Sequence, residues 1–386
     1  MKNIVLALLF LCSLSLSANE LVTSIPFKIH RGHIYIKGQI NGSRDVNIVF
    51  DTGAAVNVAN TGLSNEIEFK SKATTMANGA NGLVKMEFSK GNELIIGSVI
   101  RMRRQDFYLA DISHLQDFDL PVDAIVGGTL LNEYVVELDF DKQVINLYEF
   151  SDFDQPNGFR KTPFDLRSYS IPQMDATIEL SNGETYTGSY LIDSGAGLAI
   201  SLNSPFVESY DLLTKVSPNY EYLGKALGNE SMEYIGRVSK LKFLGEDFEG
   251  VPSRMSTTKE GVSSYSAIDG LIGLEVLKRF NLIYNYRERK LYSRVNGNDE
   301  KPFRVNNYGL NMIKKDGYFL INQVIPKSAA DKAKLQAGDK ILSVDGNQNL
   351  THDQFEDYVK NKKEIQIMVD RNSKILNVKL LPFQMI

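Results

Sequence analysis

Val49-Phe50-Asp51-Thr52-Gly53-Ala54 returns 142 residues later as Leu191-Ile192-Asp193-Ser194-Gly195-Ala196, and reading the two stretches together decides the fold. A single Asp-Ser/Thr-Gly tripeptide arises by chance in roughly a fifth of chains this long and then marks a surface turn. Here there are two, each behind an apolar pair, and each has the same partner downstream. Asp123-Ala124-Ile125-Val126-Gly127-Gly128 with Leu130-Leu131 begins 72 residues after Asp51, and Asp269-Gly270-Leu271-Ile272-Gly273-Leu274 with Val276-Leu277 begins 76 after Asp193. Both copies run on into a two-strand ending, residues 134–148 and 280–292. Such self-similarity marks an internal duplication. It predicts two lobes, 21–150 and 159–295, related by a pseudo-twofold and joined by the polar stretch 151–158.

Within both copies, short β-branched and aromatic runs end at turn dipeptides, as in residues 33–40 before Asn41-Gly42 and 175–180 before Asn182-Gly183. Residues 135–148 break at Asp141-Lys142. Hairpins in this number build barrels or sandwiches, so the class is mainly β. Glycine-rich segments, 77–82 and 224–229, fall between the Asp turn and the distal motif in each copy. Gly79, Gly82, Gly224 and Gly228 are therefore candidates for mobile hairpins over a cleft. After a second linker, 296–302, the pattern changes to strands alternating with two helices, one from Ser328 toward Gly338 and one over about 353–360, which predicts a separate domain, 303–386.

Paired Asp turns have a chemical use. Hydrolysing a peptide bond without a metal or covalent nucleophile needs one group to take a proton from water and another to protonate the substrate. Two carboxyls in contact cannot both ionise readily, so they share a proton and supply base and acid at one pH. Gly53 and Gly195 permit two turns to meet, and the Thr52 and Ser194 hydroxyls can tie them together. A glycosidase would need its carboxyls at least about 5 Å apart, further than facing turns place them. The main rival is a non-catalytic envelope peptide-binding or scaffold protein, although Asn or Gly would be tolerated at both Asp positions in a dead enzyme.

These motifs, with Ile125-Val126-Gly127 and Leu271-Ile272-Gly273, resemble those of the retropepsin-like and pepsin-like aspartic peptidases, specifically bacterial ones carrying both lobes in one chain. The resemblance implies a bilobal acid-protease-like β-barrel pseudo-dimer acting as an endopeptidase, with Asp51 and Asp193 as the catalytic dyad, Thr52 and Ser194 as cross-bracing hydroxyls, and Gly79 to Gly82 with Gly224 to Gly228 in the flaps. The C-terminal stretch, with Ser328-Ala329-Ala330, Gly338-Asp339-Lys340-Ile341 and Val344-Asp345-Gly346, resembles bacterial PDZ domains. That implies a small β-barrel or sandwich with two helices, a carboxylate-binding loop at Tyr308-Gly309-Leu310-Asn311, and capture of peptide ends as an added strand.

Residues 1–18 pair one charge, Lys2, with an apolar stretch too short to span a bilayer and small residues before a cleavage point after Ala18, so they read as a signal peptide and predict export to the periplasm, envelope or medium. The only cysteine, Cys12, lies inside it, leaving no thiol nucleophile or disulfide in the mature chain. A net charge of −4 without a basic run gives nothing to track phosphates, so no nucleic-acid partner is expected. His30 and His33 lack a third ligand, and Ser194 and Ser201 lie in no nucleophile elbow. No metal or cofactor is expected, the partners are peptides or unfolded proteins, and two signatures in one chain make a monomer sufficient.

Overall fold

The computed structural model describes residues 20–382 apart from 71, 80–81, 113–114, 116–119, 152, 226–229, 304–307 and 361. The signal-peptide reading, Cys12 and Gly228 therefore lie outside the described residues. No described helix is long and apolar enough to cross a membrane.

The first copy holds β1 (Leu21–Pro26), β2 (Lys28–His30), β3 (His33–Ile40), β4 (Val46–Phe50), β5 (Asn57–Asn60), β6 (Lys72–Gly79), β7 (Gly82–Ile96), β8 (Ile100–Ala110), β9 (Ala124–Val126), β10 (Val135–Asp139) and β11 (Val144–Tyr148). The second holds β12 (Arg160–Pro163), β13 (Gln173–Glu179), β14 (Thr185–Asp193), β15 (Ile200–Leu202), β16 (Tyr220–Lys225), β17 (Glu230–Phe243), β18 (Glu246–Ser256), β19 (Gly270–Gly273), β20 (Phe280–Asn285) and β21 (Lys290–Val295). Asn41 and Gly42 both take positive φ in the turn between β3 and β4.

The duplication is visible strand for strand. One sheet runs β2-β3-β4-β9-β5-β8-β7-β6 and the other β13-β14-β19-β15-β18-β17-β16. In each, the strand entering the Asp turn lies parallel to the strand of the distal motif, β4 on β9 and β14 on β19. β4 and β9 are buried along their whole length, on both faces of the sheet. The two-strand endings come together across the lobes in a third sheet, β1-β11-β10-β20-β21-β12. At its centre Glu137 faces Ile283, flanked symmetrically by Val136 opposite Tyr284 and Leu138 opposite Leu282. The pseudo-twofold axis thus passes through the Glu137–Ile283 pair, and one continuous apolar core serves both lobes.

The C-terminal sheet orders as β22-β23-β24-β25-β26, from β22 (Leu310–Lys315), β23 (Tyr318–Val324), β24 (Lys340–Val344), β25 (Ile365–Arg371) and β26 (Lys374–Leu380). Its own core gathers Leu310, Phe319, Ile321, Leu335, Ile341, Phe355 and Ile367. The helix His352–Val359 has the capping box of Thr351 with Gln354. The helix expected to reach Gly338 stops at Lys332, because Lys334 takes a left-handed φ and the Leu335 N–H returns to the Ala330 carbonyl.

Candidate active site

Each Asp turn is built by the same few contacts. The Asp51 N–H donates to the Val126 carbonyl across β4 and β9, and the Gly128 N–H donates to the Ala54 carbonyl at 2.7 Å. In the second copy the Leu274 N–H donates to the Ala196 carbonyl at 2.8 Å. The glycine ending each distal motif is steric in origin: a Cβ on Gly127 would lie 1.7 Å from the Asp51 carbonyl oxygen, and one on Gly273 2.3 Å from that of Leu198. The acid opening each motif also repeats its task. Asp123 accepts the Asn47 N–H and Asp269 the Ser189 N–H, both at 2.8 Å, fixing the strand that delivers the catalytic-type turn. Sequence reading quoted these two aspartates without assigning this role; their identical position in the repeat was the available signal.

The turns meet face to face. The Thr52 N–H donates to Ser194 Oγ (3.0 Å) and the Ser194 N–H to Thr52 Oγ1 (2.9 Å), while the hydroxyls donate onward to the carbonyls of Ile192 (2.8 Å) and Phe50 (3.3 Å). Both side chains are almost wholly buried, so this reciprocal grip is shielded from competing water. Gly53 lies against the Asp193 carboxyl and Gly195 against that of Asp51: a Cβ on either would fall 2.5 Å and 2.1 Å, respectively, from the facing Cγ. Asp51 and Asp193 are thereby brought side by side, each residue half-buried with its carboxyl directed at the other turn. That proximity does not suit glycosidase geometry.

Oδ1 of Asp51 accepts the Gly53 N–H at 2.7 Å, and Oδ1 of Asp193 accepts those of Gly195 (2.8 Å) and Ala196 (3.1 Å). Burial, followed by the charge and hydrogen bond of Asp193, holds the Asp51 carboxyl well above the usual carboxylate range. Asp193 is raised as well, again first by burial, with the hydrogen bond from Asp51 and the backbone N–H groups opposing. Such a pair carries one proton over a span of pH, and the two steps of its titration belong to the pair. Among the described residues no cluster of His, Cys, Asp and Glu is arranged to hold a metal ion.

The described glycines of the glycine-rich segments lie in two hairpins. In β6–β7, Gly79 pairs with Gly82, and Met76 and Leu83 are exposed. In β16–β17, Gly224 stands opposite Ser231, and its missing side chain leaves room for the Glu233 carboxyl, 2.6 Å from where a Cβ would sit.

Residues 36–130 match the aspartyl protease family model, and residues 320–368 match that of the PDZ domain. The chain carries an aspartyl protease domain and a PDZ domain. No curated protein matches it. The matched protease segment contains Asp51, the β6–β7 hairpin and the first distal motif as far as Leu130.

In the PDZ domain the expected carboxylate loop begins at Tyr308 and leads into the sheet-edge strand β22. Gly309 takes φ +75°, and a Cβ there would collide with Ser328 at 2.1 Å. Leu310 turns into the domain's core, and the carbonyls of Tyr308 and Gly309 accept the N–H groups of Ala330 and Ile325. The Asn311 amide points elsewhere, donating to the Tyr222 hydroxyl of β16 at 3.2 Å.

Proposed function

We propose that the protein is an exported aspartic-type endopeptidase that cuts extended peptides bound between its lobes, acting as a monomer on peptide or unfolded protein chains. What carries this reading is the contact of Asp51 with Asp193, each carboxyl backed by the glycine of the opposite turn. With one proton between them, one carboxyl removes a proton from water as its oxygen attacks the scissile carbonyl carbon, and the other gives its proton to the carbonyl oxygen. The tetrahedral diol collapses as a proton passes to the amide nitrogen; the C–N bond breaks, an acid and an amine leave, and the pair is singly protonated again. Thr52 and Ser194 keep the turns from separating while the charge moves. The PDZ domain fits capture of peptide ends as a strand added to β22.

The test is cleavage of a diverse peptide library by the mature protein from acid to neutral pH, read by mass spectrometry beside Asp51→Asn and Asp193→Asn. Cuts lost in both folded variants support the dyad. Cuts that persist in either variant overturn it, and a wild type that binds peptides but never cuts them supports a binding protein instead.

A further inference from the structure

Ile325 is an apolar residue on the loop after β23, yet only 1% of it is exposed. Its apolar neighbours are Tyr220, Tyr222 and Ile235 of the second protease hairpin, and it takes no part in the PDZ core. Those three share one face, because Tyr220 and Tyr222 are two apart on β16 and Ile235 lies opposite Tyr220 on β17. The same face carries Glu233, opposite Tyr222, and Arg254, opposite Ile235 on β18. Arg254 stacks on the Tyr222 ring with its guanidinium 4.8 Å from the centroid and stands 3.8 Å from Glu233. The Asn311 amide completes the set by binding the Tyr222 hydroxyl.

The docking is supported from the linker side too. The Arg279 guanidinium, in the second lobe, lies 3.8 Å from the Phe303 ring centroid and donates to the carbonyls of Asp299 (2.6 Å) and Lys301 (2.7 Å), and Phe303 also meets Phe248 edge-on. The tether is therefore held to the lobe from Asp299 to Phe303. Among the described residues none covers Met76 and Leu83 of the first hairpin, which remain exposed.

We propose that the PDZ domain is a positioning element of the peptidase: seated through Ile325 and Asn311 on the outer face of β16–β17, it holds the second hairpin in place beside the cleft. This rests on the endopeptidase reading and adds to it, since a domain that only recruited substrate would not affect peptides unable to reach it. A strand added to β22 would run past Asn311, so occupancy of the groove is passed to the same hairpin.

The test uses the full mature chain with Ile325→Ala, which leaves the PDZ core intact, and Asn311→Ala as a milder partner. Hydrogen exchange is followed in residues 220–243 and 72–96, and kcat/KM is measured on a short C-terminally amidated peptide that offers the PDZ domain no carboxylate. The expected result for Ile325→Ala is exchange faster by about tenfold in 230–243 with 72–96 unchanged, a smaller effect for Asn311→Ala, and reduced cleavage of the amidated peptide. Unchanged exchange in 220–243, an equal rise in both hairpins, or full activity despite a loosened hairpin overturns the proposal. If no form cuts any peptide while the second hairpin alone loosens, the catalytic reading fails and the seating of the hairpin stands.

Discussion

Replacing Gly195 by Ala tests the dyad without touching either carboxyl. An ideal Cβ at this position would lie 2.1 Å from Asp51 Cγ and 2.3 and 2.4 Å from its two oxygens. Ordinary contact needs about 3.4 Å, so the Asp51 carboxyl and residue 195 must separate by about 1 Å. Neither can yield cheaply, because the Asp51 carboxyl is held by the Gly53 N–H and the Ser194 N–H is locked to Thr52. A shift of about 1 Å in a reacting group can lower the rate about 100-fold, and overpacking costs about 1–3 kcal/mol of stability. At Gly53 the corresponding approach is 2.5 Å from Asp193 Cγ, so Gly53→Ala should lose less. Gly297, with nothing within 4 Å of its Cβ position, supplies the control. The assay is kcat/KM on one peptide cut by the wild type, beside a thermal melt. A Gly195→Ala enzyme that melts like the Gly297→Ala control and keeps activity within about threefold would refute the geometry.

Thr52→Val removes a buried hydroxyl that accepts the Ser194 N–H and donates to the Ile192 carbonyl, so it should cost about 2–4 kcal/mol in denaturant unfolding; a loss below about 0.5 kcal/mol would mean that the grip is not formed. The raised carboxyl of Asp51 gives a pH signature. Unfolding releases this carboxyl to its ordinary value near 4, so stability present below that pH is lost as pH rises through the higher folded value. Asp51→Asn cannot ionise, and should melt above the wild type at neutral pH, with the gap closing toward pH 4; a gap that does not change with pH contradicts the assignment. Cleavage should likewise fall as pH rises through the upper step of the pair, read from a kcat/KM profile. In the PDZ domain, the buried Asp339 takes two hydrogen bonds from Arg371, both 2.7 Å, and one from the Gln336 N–H. Asp339→Ala should lower the stability of that domain by about 2–3 kcal/mol, seen as loss of protection in 310–380 with the first lobe, 21–150, unaffected.

The parts of this fold that sequence disclosed are those where a backbone demand forces a residue type. Gly127 and Gly273 must be glycine because a carbonyl occupies the place of a side chain, and Asp123 and Asp269 must accept a strand N–H, so both copies kept a recognisable pattern. Hairpins announced themselves where Asn41-Gly42 takes the left-handed backbone. The central six-stranded sheet left no comparable mark, since Glu137 facing Ile283 pairs residues far apart in the chain whose types any β-ladder accepts. The seating of the PDZ domain was equally hidden, because Ile325 in a loop reads as one more apolar residue until Tyr220, Tyr222 and Ile235 are seen to cover it.

A duplicated chain, unlike a dimer of identical subunits, is free to make its halves unequal, and this protein does so at two depths. On the interlobe sheet the position of Leu138 in the first half is taken in the second by Tyr284, fully buried and within electrostatic reach of Asp193. At the rim, the first hairpin exposes Met76 and Leu83, whereas the second presents Tyr220, Tyr222 and Ile235 to Ile325 of the PDZ domain. The two Asp turns need near-identical geometry to share one proton, and there the copies have stayed alike: the Thr52 and Ser194 exchange of hydrogen bonds differs by 0.1 Å between its two directions. Symmetry is thus retained where the chemistry requires two equivalent acids and abandoned where the molecule has two different surroundings to meet. On the proposed endopeptidase reading, the first hairpin, whose Met76 and Leu83 are exposed, is then the one free to follow the substrate, while the second meets the PDZ domain from outside.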